Sequence, residues 1–269
     1  MTGSLRRFRL AYGTQRAREG RGAGGVPELL ALPFLQSGAR ADEWRIRARS
    51  FGYVARNWLT RGGASHPLRI LDLGAGNGWL CYRSALEGHH SVALDIRTDA
   101  VDGLGAAAHY AAHLSAMFPR IAATFEALPL SSAAFDLVVF NASIHYAVDL
   151  EATLREACRV TQPGGTLLIV DSPFYAKEVW GVAMVAEKRK AAPGMFGPLV
   201  EELMAFPFVE FLTPGRLVKS SKALGLQWRR HRVRYPWRYE LRPLLARLRG
   251  KRPPSRFDVW STSVPGPRA

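Results

Sequence analysis

From Leu68 to Pro173 the chain repeats one rhythm, short apolar runs separated by helix-like stretches, and few folds accommodate it. The runs are LRILDL, SVALDI, IAATFEA, FDLVVFNAS and TLLIVDSP. Near-continuous apolar runs mark strands buried on both faces, and strands alternating with helices form a parallel sheet covered on each side. The connections suit right-handed crossovers. The fourth, Leu150 to Thr161, sets Leu150, Leu154, Ala157 and Cys158 on one side and meets a helix stop at Pro163-Gly164-Gly165.

The first crossover carries a candidate ligand loop. Asp72-Leu73-Gly74-Ala75-Gly76-Asn77-Gly78 follows a strand-like run and precedes a helix-like one, where backbone turns tightly and a ligand can approach it. Dinucleotide loops have the spacing GxGxxG and face a pyrophosphate; here the spacing is GxGxG, with Asp72 two residues before Gly74. A carboxylate there repels a phosphate. S-adenosylmethionine (SAM) carries an ammonium and a sulfonium but no phosphate, so it suits this acid better on Coulomb grounds. Residues 70–171 hold 5 basic and 11 acidic side chains, which agrees with a cationic ligand. Asp95 ends the second strand about 20 residues past the loop, the distance at which such sites place a carboxylate on ribose hydroxyls. Ile96 beside it is then positioned to pack on an adenine.

Strand, DxGxGxG, helix, strand and Asp together resemble the class I SAM-dependent methyltransferases of the broad small-molecule type, the methyltransferase-11 group. The similarity covers roughly Leu68 to Pro173. It implies a Rossmann-like α/β fold, a mostly parallel seven-stranded sheet with helices on both faces, to which the residue pattern outside that range adds an N-terminal helical extension and an insertion after strand 5. It also implies that LDLGAGNG, with Asp72, Gly74, Ala75, Gly76 and Gly78, surrounds the methionine part of SAM while Asp95 holds the ribose. Phe125-Glu126-Ala127-Leu128-Pro129 would border the adenine, Asn141 and Ala142 would lie beside the cofactor, and His145 and Tyr146 near the methyl group. RVTQPGGTLLIV resembles the turn into the fifth strand. Many relatives have Asp immediately before the residue corresponding to Phe125; this chain has Thr124. Backbone near Phe125, or Glu126, would have to replace that contact with the adenine.

The flanks differ from this middle. Residues 1–69 hold 13 basic and 4 acidic side chains, and residues 172–269 hold 19 and 7. Such charge forms either a solvated surface or a face for an anionic partner: nucleic acid, a phosphorylated substrate or a membrane surface. Residues 1–27, rich in Arg and Gly, read as an extended or partly disordered lead-in with no core contribution. Trp44, Ala48, Phe51, Ala55 and Trp58 recur at helical spacing between Ala41 and Leu59, with Arg45, Arg49 and Arg56 on the other face, until RGGASHP (Arg61 to Pro67) ends the helix. Residues 1–67 read as an extension forming part of a substrate cap, and 68–269 as the SAM-binding domain. Within it 174–214 is a mostly helical substrate-side insertion with Tyr175, Trp180, Met184, Met195, Phe196 and Phe206. Leu226 to Tyr235 and Arg256 to Ser263 read as strands around the Arg-rich Arg238 to Arg252.

Methyl transfer from a sulfonium is catalysed largely by positioning two substrates. If the acceptor is a hydroxyl, a general base helps, and His145 at the C-terminal strand edge is the first candidate, with Tyr146 beside it. Asp171, Tyr175 and Tyr53 are candidate substrate contacts, and Trp79, like Tyr53, can close the cofactor pocket. His89, His90, His109 and His113 have no convergent ligands, and Cys81 and Cys158 lack metal spacing, so no metal site is expected. No apolar run reaches 18 residues and no signal-peptide pattern occurs, which points to a cytoplasmic chain. The expected partner is a small molecule. An RNA or other polyanion methyltransferase using the basic flanks is less favoured, as no RNA-binding module or NPPY-type motif occurs. A SAM-binding protein without catalysis is the remaining alternative.

Overall fold

The computed structural model describes residues 3–60 and 67–266. Its centre is a seven-stranded sheet in the order β3-β2-β1-β4-β5-β7-β6. The strands are β1 (Arg69–Leu73), β2 (His90–Asp95), β3 (Arg120–Ala122), β4 (Phe135–Asn141), β5 (Thr161–Val170), β6 (Arg229–His231) and β7 (Val259–Ser263). β1 to β5 pair in parallel, whereas β7 runs antiparallel to both β5 and β6.

The apolar runs form central strands because both faces are covered. Along β1, β4 and β5 alternate residues feed two cores: Ile70, Leu137, Val139 and Leu168 enter one, and Leu71, Leu73, Val138, Phe140, Leu167 and Ile169 the other. The first core is closed by α3 (Ala41–Val54) and α4 (Trp79–Leu86), the second by α5 (Leu150–Val160) and α8 (Pro214–Ser221). α5 starts where Asp149 accepts a hydrogen bond from Ala152 N at 3.0 Å, and it buries Leu150, Leu154 and Ala157 with Cys158 half-buried beside them. The helix stops at Val160, before Pro163-Gly164-Gly165. Those three residues lie inside β5 instead, where the register with β4 jumps and Gly164 takes φ 79°. Proline and glycine are tolerated there because the segment bulges out of the ladder.

The N-terminal lead-in is not extended. Residues Gly3–Arg18 form α1, followed by α2 (Gly25–Ala31). Leu5, Phe8, Tyr12 and Arg16 recur at helical spacing, and Phe8 and Ala11 are buried against Ala192, Phe196 and Leu203. The Phe8 ring meets Phe206 and Phe208 at 5.3 and 5.2 Å. Burying one such side chain contributes about 1.5–3 kcal/mol, enough to hold a helix whose own face is otherwise cationic. α3 carries its predicted stripe inward and Arg45, Arg49 and Arg56 outward, but it ends at Val54 and continues as a π-helical turn, Ala55–Leu59. Most of the RGGASHP break lies outside the described residues.

The insertion after β5 is helical as its composition suggests: α6 (Glu178–Phe196), then α7 (Val200–Leu203). α9 (Trp237–Glu240) and α10 (Arg242–Leu248) occupy the Arg-rich segment between β6 and β7. Among the described residues no helix is long and apolar enough to cross a membrane. Within the insertion Gly181 of α6 packs so closely on the Phe211 ring that no space is left for a Cβ. Gly181→Ala is therefore expected to destabilise the protein by about 1–3 kcal/mol through overpacking, although alanine favours a helix; chemical denaturation measures it. A stabilised variant would show that this contact yields freely.

Candidate active site

β1 pairs with β2 on one side and β4 on the other, so the crossovers leave β1 and β4 in opposite directions and open a crevice at their C-terminal ends. A cavity of about 660 Å³ occupies that crevice. Its floor is Gly74-Ala75-Gly76-Asn77 with Asp95, Ile96, Asn141, Ala142 and Ser143. Phe125 and Glu126 border one end, and Trp44, Arg47 and Asp171 another part of the wall. The roof is α1, through Leu5, Phe8, Tyr12 and Arg16, together with Phe206 and Phe208.

Backbone geometry explains the glycines. Gly74 has φ 80°, and a Cβ there would run into Ser143 and stand 3.2 Å from the Phe125 ring. Gly74 N and Ala75 N donate to Leu94 O at 2.8 and 3.0 Å, which binds the loop to β2. Gly76 N and Arg97 N each donate to the Asp95 carboxylate at 2.8 Å, so that side chain is held at the floor before any ligand binds. Burial raises Asp95 above the usual carboxylate range in spite of those bonds. Asp72 lies beneath the loop, 1% exposed, with neither carboxylate oxygen bonded to a protein group. Burial, and secondarily the charge of Asp95, push it well up.

The roof is latched by two α1 side chains one helical turn apart. Arg16 pairs with Asp102 at 2.7 Å, and Asp102 also receives Arg97 at 3.0 Å. Burial alone would raise Asp102, but the two guanidinium groups hold it below the usual value. One turn earlier in α1 the Tyr12 hydroxyl donates to Tyr146 at 2.9 Å. Burial and Tyr12 raise the Tyr146 phenol well above its ordinary range, so it stays protonated.

The deeper wall holds two proton-transfer candidates. His145 has an unbonded Nδ1, and burial with the fields of Lys188 and Arg47 lowers it to about 3. Asp171 follows β5 in a left-handed conformation, φ 50°, and burial raises it to about 6 against the opposing effects of Arg47 and Ser50. One of its oxygens accepts from Ser50, whose hydroxyl also meets Tyr235 at 2.8 Å; the other has no protein partner.

The methyltransferase domain family model matches residues 71–169. A malonyl-[acyl-carrier protein] O-methyltransferase from Erwinia billingiae is 31% identical over 68% of this chain and 82% of its own length. The chain belongs to the class I SAM-dependent methyltransferases. It spans 49% of a same-named enzyme from Erwinia pyrifoliae at 30% identity, and 70% of a demethylmenaquinone methyltransferase from Mycolicibacterium gilvum at 26%, these matches covering 45% and 60% of this chain. A solved 1,6-didemethyltoxoflavin-N1-methyltransferase from Burkholderia thailandensis, with 1,6-didemethyltoxoflavin and S-adenosylhomocysteine bound, shares the fold. Its TM-score is 0.51 at 18% identity over 84% of this chain and 80% of that one.

In this methyltransferase Gly74, Ala75, Gly76, Asp95, Ile96, Phe125, Glu126, Asn141, Ala142, His145, Tyr146 and Asp171 come together on the cavity, as does Trp79. Glu126 is also engaged by Val148 N at 3.1 Å. Asp72 and Gly78 stand behind the surface; Gly78, at φ 76°, starts α4, with Phe118 3.1 Å from where a Cβ would sit. Two expected substrate contacts are elsewhere. Tyr53 bonds His231 at 3.1 Å on the far side of α3, and Tyr175 is buried between Phe211 and Arg252. Both are aromatics at helix or strand ends whose rings serve packing. Sequence reasoning missed Phe8, Tyr12, Arg16, Arg47 and Asp102. The signal for the first three was the Leu5-Phe8-Tyr12-Arg16 spacing.

The unbonded Asp72 carboxylate raises the cost of the ligand-free fold, increasingly as pH climbs from the unfolded value toward its raised folded one. Asp72→Asn is expected to raise the ligand-free melting temperature at pH 8, by about 1–3 kcal/mol or ~2–10 °C. Scanning calorimetry would reveal the opposite sign if the carboxylate is well partnered.

Proposed function

We propose that this methyltransferase modifies a small molecule within the roofed cavity, with SAM along the Gly74–Asn77 floor and the acceptor between Asp171, His145 and the Phe206–Phe208 roof. The observation that carries the reading is the roof: about 660 Å³ is in the range of small-ligand sites, and α1 with Phe206 and Phe208 covers part of a crevice that a polymer would need as an open groove.

The residues fit SAM. Asp95, already held by two backbone N–H groups, offers its oxygens to a ribose, and Ile96 and Phe125 offer apolar faces to an adenine. Thr124 lines the same end without supplying a carboxylate. Asp72 and the unbonded Asn141 Oδ1 provide negative potential under the loop, which favours a sulfonium and an ammonium. When bound, SAM supplies an electrophilic methyl group. The chain's own contribution is to align the acceptor, exclude water and receive a proton.

For that proton Asp171 is better suited than His145. A base near the operating pH combines the right charge state with enough proton affinity. Asp171 at about 6 meets this condition, while burial leaves His145 at about 3 a weak acceptor. Asp171 therefore takes the proton of an acidic acceptor group, and neutral His145 and protonated Tyr146 orient it. The N-terminal extension forms part of the cap, through α1 above all.

Titration calorimetry with SAM tests the cofactor half. Asp95→Ala should weaken binding about 10–100-fold, the worth of a charged hydrogen bond, and unchanged affinity would reject the site. Labelled SAM with extracts of small molecules and of RNA tests the acceptor class; label in RNA rejects the small-molecule reading. With an acceptor in hand, turnover should rise with pH through a midpoint near 6. Asp171→Asn should remove that limb and ~10²–10⁴ of rate, whereas His145→Gln should keep the limb.

A further inference from the structure

The most cationic stretch of the molecule lies outside the cavity. From Trp228 to Arg252 there are ten Lys and Arg and a single acid, Glu240, which turns inward to pair with Arg256 at 2.7 Å. α9 and α10 join into one helical run: Leu241 N bonds Trp237 O at 2.9 Å, and Leu245 N bonds Leu241 O at 3.0 Å. Tyr239 is the buried residue of this run. Trp237, Leu241, Leu244, Leu245 and Leu248 are 67, 39, 54, 42 and 75% exposed. Their spacing puts all five on one helix face, bordered by Arg238 and Arg249 on one side and Arg247 on the other. Arg230 and Arg252 pair with Asp258 and Glu187, but among the described residues Arg238, Arg247, Arg249 and Lys251 make no ion pair.

A solitary exposed leucine needs no explanation; five large apolar side chains in one stripe do. A second copy of this chain, docked face to face, would bring two uncompensated cationic rims together. Nucleic acid would neutralise the rims and leave the leucines uncovered. An anionic bilayer surface meets both demands, phosphates for the rim and the acyl boundary for the stripe. The topology adds an orientation. β7 is antiparallel to both β5 and β6, so the β6–β7 connection leaves from the sheet edge that holds the cavity, and Phe257 at its end lines the cavity wall.

We propose that the α9–α10 face docks on the surface of an anionic lipid bilayer, with Trp237 and Leu248 entering the acyl boundary and Arg238, Arg247, Arg249 and Lys251 meeting lipid phosphates. Docking turns the cavity's edge of the sheet toward the bilayer. It does not depend on which acceptor is methylated.

Flotation of the full chain with phosphatidylglycerol–phosphatidylcholine vesicles, against phosphatidylcholine alone, tests this without any turnover. The chain should float with the anionic vesicles only. The double variant Trp237→Ser/Leu248→Ser should lower apparent vesicle affinity at least tenfold, and Arg247→Glu/Arg249→Glu should do so to a similar degree. These side chains are exposed, so the fold is retained, as an unchanged circular dichroism melt would verify. Failure to float with anionic vesicles overturns the proposal, as does floating that ignores the loss of Trp237 and Leu248. So does a concentration-dependent dimer abolished by that double variant without vesicle binding, which would assign the stripe to a second copy. Retention of RNA in place of vesicles would assign the rim to nucleic acid and equally overturn it.

Discussion

β1 hydrogen-bonds to β2 along Arg69–Leu73 and to β4 along Ile70–Asp72, and the chain leaves β1 toward one side and β4 toward the other. No helix can cross directly above the point where the two paths part, so a crevice is imposed by connectivity before any side chain is chosen. The glycine loop, Asp95, Asn141 and Asp171 owe their proximity to this, since each stands at or just past the C-terminal end of a parallel strand. What the sequence adds is covering. α1 and the Phe206–Phe208 segment convert an open crevice into a cavity.

The electrostatics of that cavity are one-sided at the floor. Asp72, Asp95 and Asp171 are all raised by burial; Asp72 has no protein donor, one Asp171 oxygen has none, and Asp95 is met by backbone N–H groups but by no cationic side chain. Cations of the chain nearby are mostly committed: Arg16 and Arg97 to Asp102, and Arg47 to Glu43 at 3.1 Å. A fold that leaves acids unpaired while pairing its bases is set up for a ligand that brings positive charge, and a phosphate-bearing nucleotide would meet the wrong sign.

The central strands were legible because burial on both faces writes itself as unbroken apolar runs. The loop was legible because positive φ at Gly74, Gly76 and Gly78 restricts the choice to glycine. The rest was hidden for physical reasons. α1 is held by Phe8 against Phe206 and Phe208, partners far along the chain, and its other residues report only a solvated cationic face. Pro163-Gly164-Gly165 carries the same letters whether it stops a helix or bulges a strand. His145 and Asp171 could be placed near the pocket from sequence, but the direction in which each is shifted could not be weighed, because burial lowers an imidazole and raises a carboxylate, and depth is a property of the packed molecule. Tyr53 and Tyr175 show the converse: aromatics near strand and helix ends, whose rings went to packing.

α1 has a consequence for how the molecule is made. It precedes the sheet in the chain, yet its contacts are Thr98, Asp102, Tyr146, Phe196, Phe206 and Phe208. During synthesis α1 emerges well before Phe206 and Phe208, the aromatic rings that bury Phe8, and a 16-residue helix of this composition is marginal by itself in water. α1 thus waits on residues roughly 200 positions downstream, and the cavity acquires its full roof only once the segment beyond β5 that carries Phe206 and Phe208 has been made.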